Sequence, residues 1–301
     1  MNRRLVAKRQ RLIERARIVQ SIRAFFIDRD YLEVDTPQRL PANAPELHID
    51  AVVSGDWDLQ TSPELAMKRL LAAGYEKIFQ MSHCWRDQER GQRHLPEFTM
   101  LEWYSSGSDY HVLMEECELL LRHLLPSGSM NYRNNLINLS SPFERLSVND
   151  AFQRYCQCDA TFALKEGRFD ELMACEIEPH LGQGRPTFLF DYPAPLAALA
   201  RRKPEQSELA ERFELYIAGL ELANAFSELT DPIEQRQRFK TDETARRNQG
   251  KRPRPLPEPF LNEMEQLKPS AGIALGIDRL VMLLTEAEAI DEVVCFTPEE
   301  L

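Results

Sequence analysis

The chain has 301 residues, of which 43% are hydrophobic and 28% are charged, and its formal net charge is −11. This length and composition provide enough apolar side chains for a large core and exclude a disordered chain. The acidic balance argues against a broad nucleic-acid-binding surface, and no run of about 18 apolar residues indicates a membrane span.

The N-terminal sequence "MNRRLVAKRQRLIERARIVQ" lacks the apolar block and small-residue cleavage site of a signal peptide. We therefore expect a cytoplasmic protein. Six cysteines are scattered along the chain, and only Cys156 and Cys158 are close together. Because a structural zinc site needs four suitably spaced ligands, buried reduced thiols are the favoured interpretation.

The first elements in chain order are a helix, a short strand and a hairpin. Apolar residues recur at three- and four-residue steps between Leu12 and Phe26, which predicts an amphipathic helix. "YLEVDTP" follows as a short strand that stops at its proline, and "HIDAVVSGDWDLQTS" predicts a hairpin with Gly55 in its turn.

"TSPELAMKRLLAAG" has the features of a capped helix. Thr61 and Glu64 fit a capping box, Pro63 suits the first turn, and Gly74 suits the C-terminal stop. "KIFQMSHCW" and "EFTMLEWYSS" then predict two strands that flank a highly charged segment.

The second half of the chain alternates irregular segments with strands. Residues 109–186 are expected to be mainly helical and irregular. "PTFLFDYP", "RFELYIAGLELANAF" and "GIALG" predict further strands, with Ala218 and Gly219 in a turn, and "DRLVMLL" predicts the last helix. "RNQGKRPRPLPEPF" is predicted to be a solvated loop in preference to a binding arm. We expect one α+β domain over residues 1–301, with a mostly antiparallel sheet flanked by helices.

Two kinds of charged residue could carry chemistry. Glu214, Glu221 and Glu228 are spaced by seven on predicted strands. They either face a cation or a ligand amine inside the fold, or face solvent at a sheet edge. Arg86 follows a predicted strand and Arg279 is at the start of the last predicted helix. Each offers a planar fork for phosphate, although a single arginine is more often in a surface ion pair. Glycine-rich phosphate-binding motifs are absent, so side chains and strands would have to hold a nucleotide.

Taken together, three segments resemble motifs 1, 2 and 3 of the class II aminoacyl-tRNA synthetases. They are "FFIDRDYLEVDTP", "FQMSHCWRDQERGQRHLPEFTMLEWY" and "GIALGIDRLVMLL", in that order. "TSPELAMKRLL", "PEFTMLEWY" and "ELANAFSEL" resemble the lysyl branch. The resemblance covers nearly the whole chain, and it implies the class II catalytic fold, ATP and Mg²⁺ as cofactors, and a homodimer formed through motif 1.

Motif 1 begins too early for the N-terminal anticodon-binding barrel of a lysyl-tRNA synthetase, so we expect no such barrel and no tRNA substrate. A freestanding catalytic domain of this branch resembles the elongation factor P (R)-β-lysine ligase family. That family activates β-lysine with ATP and attaches it to a lysine of elongation factor P. Its Ala-Leu-Gly is present as 274–276. The Ala274 methyl is expected to favour β-lysine over α-lysine, although one methyl discriminates by only ~1–3 kcal/mol.

The resemblance also implies roles for individual residues. Arg86 would hold the α-phosphate, Arg279 the γ-phosphate, Phe98 the adenine, and His94 would lie near the phosphates. The remaining nucleotide contacts would come from Asp87, Gln88, Glu221, Leu222 and Gly276, and Mg²⁺ would bind Glu214 and Glu221. Lysine or β-lysine would contact Ser62, Pro63, Glu64, Glu102, Tyr104, Asn224, Glu228 and Ala274.

Two of these assignments have rivals and three positions depart from the family pattern. Glu64 could cap a helix without contacting a ligand, and Tyr104 could be an ordinary interface aromatic. Gln88 replaces a glutamate, Leu95 replaces an asparagine, and Ala225 replaces a glycine. These departures keep two alternatives open. One is a ligase for another amino acid or acceptor, and the other is a weakly active or non-catalytic binding protein.

Overall fold

The computed structural model describes residues 3–301. Nine α-helices occur in this part of the chain: α1 Arg3–Ile27, α2 Glu64–Ala72, α3 Tyr110–Leu124, α4 Val148–Cys156, α5 Ala160–Lys165, α6 Phe169–Leu172, α7 Pro232–Asn248, α8 Glu258–Glu263 and α9 Ile277–Leu284. The strands are β1 Leu32–Glu33, β2 Arg39–Leu40, β3 Val53–Ser54, β4 Trp57–Leu59, β5 Lys77–Trp85, β6 Glu97–Ser106, β7 Ser129–Tyr132, β8 Asn135–Asn138, β9 Glu144–Ser147, β10 Thr187–Pro193, β11 Arg202–Lys203, β12 Gln206–Ile217, β13 Leu220–Ser227 and β14 Ser270–Gly276.

The main sheet has the order β1-β5-β6-β14-β13-β12-β10-β9, with β11 paired to β12. Only the β1–β5 and β10–β9 pairs are parallel, and the others are antiparallel. Helices accompany this sheet, so the predicted α+β class with a mostly antiparallel sheet is confirmed. β14 is the last strand in the sequence but lies in the middle of the main sheet, between β6 and β13. It therefore places the third motif next to strands from earlier parts of the chain.

Most of the predicted elements are present. The first helix begins at Arg3, earlier than the apolar periodicity from Leu12 predicts. It buries Ile22, Phe25 and Phe26 against the sheet. The turn between β3 and β4 contains Gly55 at φ 67°, a left-handed conformation that suits glycine. Ala218 and Gly219 form the turn between β12 and β13, at φ 52° and 70°.

Three predictions about elements need correction. The capping box on α2 is wrong, because the backbone N–H of Glu64 donates to Ser62 Oγ at 3.0 Å and its carboxylate accepts from Lys68 instead. Region 109–186 contains the strands β7, β8 and β9, and β9 extends the main sheet. The Pro/Arg loop is not simply solvated, since its Arg254 pairs with the buried Asp58.

The core lies between α1, α3, α9 and one face of the sheet, where aromatic and aliphatic side chains pack together. All six cysteines lie in the described part of the chain and are unpaired. Cys84 and Cys117 are buried as predicted, whereas Cys175 and Cys295 are exposed. Over residues 3–301, no helix has the length and apolar character needed to span a membrane. The opposite face of the sheet is left open to a cavity.

Candidate active site

A cavity of about 650 Å³ lies over the open face of the central strands. The register between neighbouring strands determines which side chains form the floor of the cavity, because residues directly opposite in neighbouring strands point to the same side of a sheet. One row contains, from β6 to β12, Glu102, Ala274, Asn224 and Glu214. Three distant parts of the sequence, one of which is the β12–β13 hairpin, therefore meet in one line across the sheet.

The next row, one step along the strands, contains Tyr104, Gly272, Phe226 and Arg212. In the other direction, Gly276 is paired with Met100. Gly272 and Gly276 are four residues apart on β14, so the floor extends about 13 Å at 3.3 Å per residue. The two ends of this floor differ in charge.

Basic side chains surround the end near Gly276. The Arg86 guanidinium lies over the Phe98 ring, 5.2 Å from its centroid, and its Nε is buried without a hydrogen-bond partner. Arg279, in the first turn of α9, donates to the Glu221 carbonyl at 2.9 Å and to the Arg93 carbonyl at 3.3 Å. An unsatisfied guanidinium N–H beside an aromatic face fits an anionic ligand that carries a planar ring.

His94 is tied to this basic end. Burial, followed by the charges of Arg279, Arg86 and Arg93, lowers the pKa of His94 to about 4. The ring is therefore neutral at pH 7, and its Nε2 accepts a hydrogen bond from Arg279. A neutral acceptor holds the guanidinium in place without neutralising it, so the positive charge of Arg279 remains available to the cavity.

Carboxylates dominate the other end. Glu102 is fully buried, and it accepts hydrogen bonds from Ser62 Oγ at 2.6 Å and from the Tyr104 hydroxyl at 2.7 Å. Burial, and then the charge of Glu64, raises the pKa of Glu102 to about 8. Burial and the adjacent Glu102 also raise the pKa of Tyr104 well above its usual range, so its hydroxyl remains a donor. Tyr104 is thus part of this site and not an interface aromatic.

A buried lysine joins two further carboxylates. Lys68 Nζ lies 2.5 Å from Glu64 Oε1 and 2.5 Å from Glu228 Oε2. Burial alone would lower the pKa of Lys68, but Glu228 and Glu64 outweigh it and raise that pKa, so the lysine is charged. Glu228 Oε1 has no hydrogen-bond partner and lies under Gly272, where an added Cβ would approach it to 2.5 Å.

The side wall carries the remaining predicted glutamates. Glu214 accepts from the Tyr192 hydroxyl at 2.5 Å, from the Tyr216 hydroxyl at 2.7 Å and from Arg212 at 2.5 Å. Glu221 Oε2 is 3.3 Å from Arg279 Nη1. Glu214 and Glu221 are thus on interior strands, and Glu228 directly follows one. All three have cationic or hydroxyl partners, which excludes the solvent-edge alternative.

Two carboxylates, those of Glu214 and Glu221, could bind a metal ion here, but they do not form a complete coordination shell. Burial, and then the charge of Glu214, raises the pKa of Glu221, an electrostatic situation that a divalent cation relieves. Within residues 3–301, no group of three or more His, Cys, Asp or Glu side chains is arranged to hold a metal. A hard cation would therefore need further oxygens from its ligand, as Mg²⁺ does when it binds through phosphates.

Most residues singled out from the sequence lie in the cavity wall. Those in the wall are Ser62, Glu64, Arg86, His94, Phe98, Glu102, Tyr104, Glu214, Glu221, Leu222, Asn224, Ala274, Gly276 and Arg279. Asp87 and Gln88 instead lie in an exposed turn outside the wall, with Gln88 at φ 63°. Pro63 is buried at the start of α2, and Glu228 lies beneath Gly272.

The departures from the family pattern have different locations. Ala225 is fully buried in the core, because Asn224 and Phe226 on either side of it face the cavity. The Ala225 methyl therefore points into the core and away from the cavity. Leu95 is buried and lines the cavity close to His94.

Sequence reasoning missed Lys68, Arg212, Gly272 and Glu46, which all contribute to the site. Two signals were available. Lys68 is four residues after Glu64 on a predicted helix, so the two share a face. Arg212 is two residues before Glu214 on a predicted strand, which also places both on one side. Gly272 and Glu46 carry no comparable local signal.

Comparison with known proteins agrees with this geometry. The family model for class II tRNA synthetases (D, K and N) matches residues 2–300. Among curated relatives, proteins of Erwinia tasmaniensis and Vibrio atlanticus are each 39% identical, and one of Edwardsiella ictaluri is 40% identical. Each alignment covers 95% of this chain and 94–95% of the relative. All three relatives are named elongation factor P–(R)-β-lysine ligase.

The family match extends over nearly the whole chain, and the three motifs converge on one cavity. The chain belongs to the class II aminoacyl-tRNA synthetase family and, within it, to the family of elongation factor P–(R)-β-lysine ligases.

Proposed function

We propose that this protein activates (R)-β-lysine with ATP and transfers it to a lysine ε-amine of elongation factor P. The names of its relatives give (R)-β-lysine and elongation factor P as the two molecules that those ligases join. The observation that carries the proposal is a single cavity with arginines at one end and buried carboxylates at the other. Such a cavity suits a molecule with phosphates at one end and ammonium groups at the other.

The first step joins the amino-acid carboxylate to the α-phosphorus of ATP, and pyrophosphate leaves. No protein nucleophile is needed, so the residues act by positioning and by stabilising charge. Arg86 holds the α-phosphate through the N–H that has no protein partner, and Phe98 stacks on the adenine. Arg279, held by His94, binds the γ-phosphate.

Nucleotide contacts beyond these follow the family resemblance. Leu222 and Gly276 line the adenylate region of the cavity, and Gly276 leaves room there because an added Cβ would meet nothing closer than 3.8 Å. Asp87 and Gln88 would reach the nucleotide only through a rearrangement of their exposed turn. Mutation of Gln88 is therefore expected to affect ATP binding less than mutation of Arg86.

The amino acid is oriented by its two ammonium groups. The side-chain ammonium lies at Glu228 Oε1 and the Tyr104 hydroxyl, beside Gly272 at this end of the cavity. The amine near the reacting carboxylate contacts Glu64 and Glu102, which Ser62 and Pro63 position from the start of α2. Asn224 holds the carboxylate and lies beside Ala274, whose methyl occupies the space between Asn224 and Glu102.

Magnesium belongs to the proposal through Glu221 and Glu214. Glu221 has the simpler access, because Glu214 already accepts hydrogen bonds from two tyrosines and an arginine. When bound, the ion would neutralise charge on the ATP phosphates. Both glutamates would also keep the arginines near them correctly oriented, through the contacts that Glu214 makes with Arg212 and Glu221 with Arg279.

Assembly and location are further parts of the proposal. We expect a cytoplasmic homodimer formed through α1 and β1, with a protein acceptor in place of tRNA. ATP–pyrophosphate exchange with α-lysine and both β-lysine enantiomers tests the activation step. Exchange that is strongest with (R)-β-lysine, followed by a matching mass increase on elongation factor P, is the expected result. No exchange with any of the three amines would instead favour a non-catalytic binding protein.

A further inference from the structure

Segment 41–50, which follows β2, contributes one wall of the cavity although no motif includes it. Glu46, Leu47, His48 and Ile49 all line the cavity. A cavity wall made by an irregular segment must be held by specific contacts, because it has no ladder of backbone hydrogen bonds. Those contacts determine where the Glu46 carboxylate lies.

Both ends of the segment are hydrogen-bonded to residues that lie next to proposed ligand-binding residues in the chain. Asn43 donates to the Leu59 carbonyl at 3.1 Å and accepts from the Thr61 backbone N–H at 3.1 Å, directly before Ser62. At the other end, the backbone N–H of Asp87 donates to the Asp50 carbonyl at 2.7 Å, directly after Arg86. The segment thus bridges from the amine end of the cavity to the α-phosphate end.

The middle of the segment is held from α7 and the loop that follows it. Arg246 donates to the Glu46 carbonyl at 2.6 Å and to the Ile49 carbonyl at 2.8 Å, and it also pairs with Asp50 at 2.9 Å. Lys251 donates to the Leu47 carbonyl at 2.8 Å. Since these bonds fix the backbone around Glu46, its side chain is directed by a rigid support.

The Glu46 carboxylate has no ion-pair or hydrogen-bond partner among residues 3–301, although the side chain is half-buried. Burial raises its pKa to about 7, an effect that Arg86 opposes and Glu64 reinforces, with smaller effects from Arg212 and Asp242. A carboxylate that changes protonation state near neutral pH can accept a proton and release it again.

We propose, on the basis of the proposed function, that Glu46 is the general base that deprotonates the acceptor lysine in the transfer step. Activation joins the carboxylate held by Asn224 to the phosphate held by Arg86. The carbonyl carbon that the acceptor must attack therefore lies between these two residues. Segment 41–50 is bonded beside Ser62 at one end and beside Arg86 at the other, and Glu46 in its middle lines the same cavity as the residues that hold the two reacting groups.

The step balances without any further reactant. Glu46 takes one proton from the acceptor's ε-ammonium and leaves a neutral amine. The amine nitrogen attacks the carbonyl carbon of the adenylate, a C–N bond forms, and the bond from that carbon to the phosphate oxygen breaks. The phosphate oxygen keeps the electron pair, AMP leaves, and the second amine proton passes to the AMP phosphate.

The Glu46→Gln variant separates the two half-reactions. Pyrophosphate exchange with (R)-β-lysine should remain within about threefold of the wild-type rate, since Glu46 has no role in activation. Single-turnover transfer from the adenylate to elongation factor P should fall by about 100-fold or more, the usual effect of losing a general base. Reaction of the same adenylate with hydroxylamine, which is already neutral at pH 7, should be nearly unchanged.

Two further variants complete the test. Glu46→Asp should recover part of the transfer rate, because it retains a carboxylate on the same backbone. Asp170→Asn removes a different carboxylate from the cavity wall, on α6, and should change neither half-reaction. Equal loss of transfer to lysine and to hydroxylamine in Glu46→Gln would overturn the inference, as would wild-type transfer by that variant. Wild-type protein that fails to exchange would overturn the proposed function, and the inference with it.

Discussion

Gly272 is the position where the geometry of the amine end can be tested most directly. An added Cβ would lie 2.1 Å from Tyr104 Cε1, 2.3 Å from Tyr104 Cδ1 and 2.5 Å from Glu228 Oε1. Both neighbours are almost completely buried, and β14 is paired on both sides, so neither they nor the strand can move freely. Gly272→Ala therefore has to displace the residues proposed to bind the side-chain ammonium.

The expected size of the effect of Gly272→Ala follows from the free-energy cost of overpacking. Forcing one methyl group into a filled interior costs about 1–3 kcal/mol. If the displacement affects amine binding, the KM for the amino acid should rise by about 5- to 150-fold at 1.4 kcal/mol per factor of ten. If it affects folding, the midpoint of thermal unfolding should fall by about 2–6 °C for a chain of this size.

Gly276→Ala is a matched control on the same strand. An added Cβ there would meet only the Arg279 side chain, at 3.8 Å or more, which is ordinary contact. Pyrophosphate exchange at varied amino-acid and ATP concentrations, together with thermal unfolding of both variants, provides the measurement. Gly272→Ala with unchanged KM and unchanged unfolding temperature would refute the arrangement of Tyr104 and Glu228 described above.

Three further predictions concern specificity, stability and protonation. Ala274→Gly should raise kcat/KM for α-lysine relative to (R)-β-lysine by about tenfold in pyrophosphate exchange, because one methyl is removed; no change in the ratio would eliminate this methyl as a determinant. Lys68→Met should destabilise the protein by about 3–5 kcal/mol in chemical denaturation, because two buried carboxylates lose their cation. The neighbouring exposed pair lost in Arg69→Met should cost less than about 1 kcal/mol, and equal losses would contradict this reasoning. Amine binding at pH 7 should release protons, because the pKa of Glu102 is raised to about 8 and an ammonium ligand favours its ionised form. The KM should therefore fall as the pH rises towards 8, and calorimetry in two buffers should show a proton release that Glu102→Gln reduces but does not abolish, because burial also raises the pKa of Glu228 to about 8.

The same pKa shift has a consequence for stability, and its sign is opposite to that of binding. Without substrate, a folded-state pKa of about 8 for Glu102 lies above the value of an unfolded glutamate, so the folded protein holds more protons between the two. The contribution of this group to the free energy of unfolding is therefore complete at acidic pH and is lost as the pH rises through 8. Substrate ammonium groups should reduce that loss.

How much could be predicted from sequence depended on whether the signal was local. The strands of motif 2 and the last helix have clear periodicity and turn residues, and they are present at the predicted positions. The strand β9 was missed because it has four residues and depends on pairing with β10 for its stability. The capping box on α2 failed because Ser62 competes for the same backbone donor.

The same distinction between local signals and long-range contacts applies to the candidate active site. Motif resemblance identified residues such as Arg86 and Glu102 that line the cavity, whereas register and packing could not be read from the sequence. Gly272 acquires its importance from Tyr104 and Glu228, which are 168 and 44 positions away in the chain. Glu46 is in an irregular segment, and its position depends on bonds to Arg246, 200 residues later.

The charge count at the amine end limits which amino acids can bind. Glu64, Glu102 and Glu228 carry three negative charges when ionised, and Lys68 carries one positive charge, so two negative charges are uncompensated. A monoamino acid would leave one buried carboxylate unpaired or force it to take up a proton, and an uncompensated buried charge is strongly unfavourable. An amino acid with two ammonium groups balances the cluster completely. We therefore expect the cluster to select diamino acids as a class, and we predict that the choice between α- and β-lysine depends on the uncharged contact at Ala274.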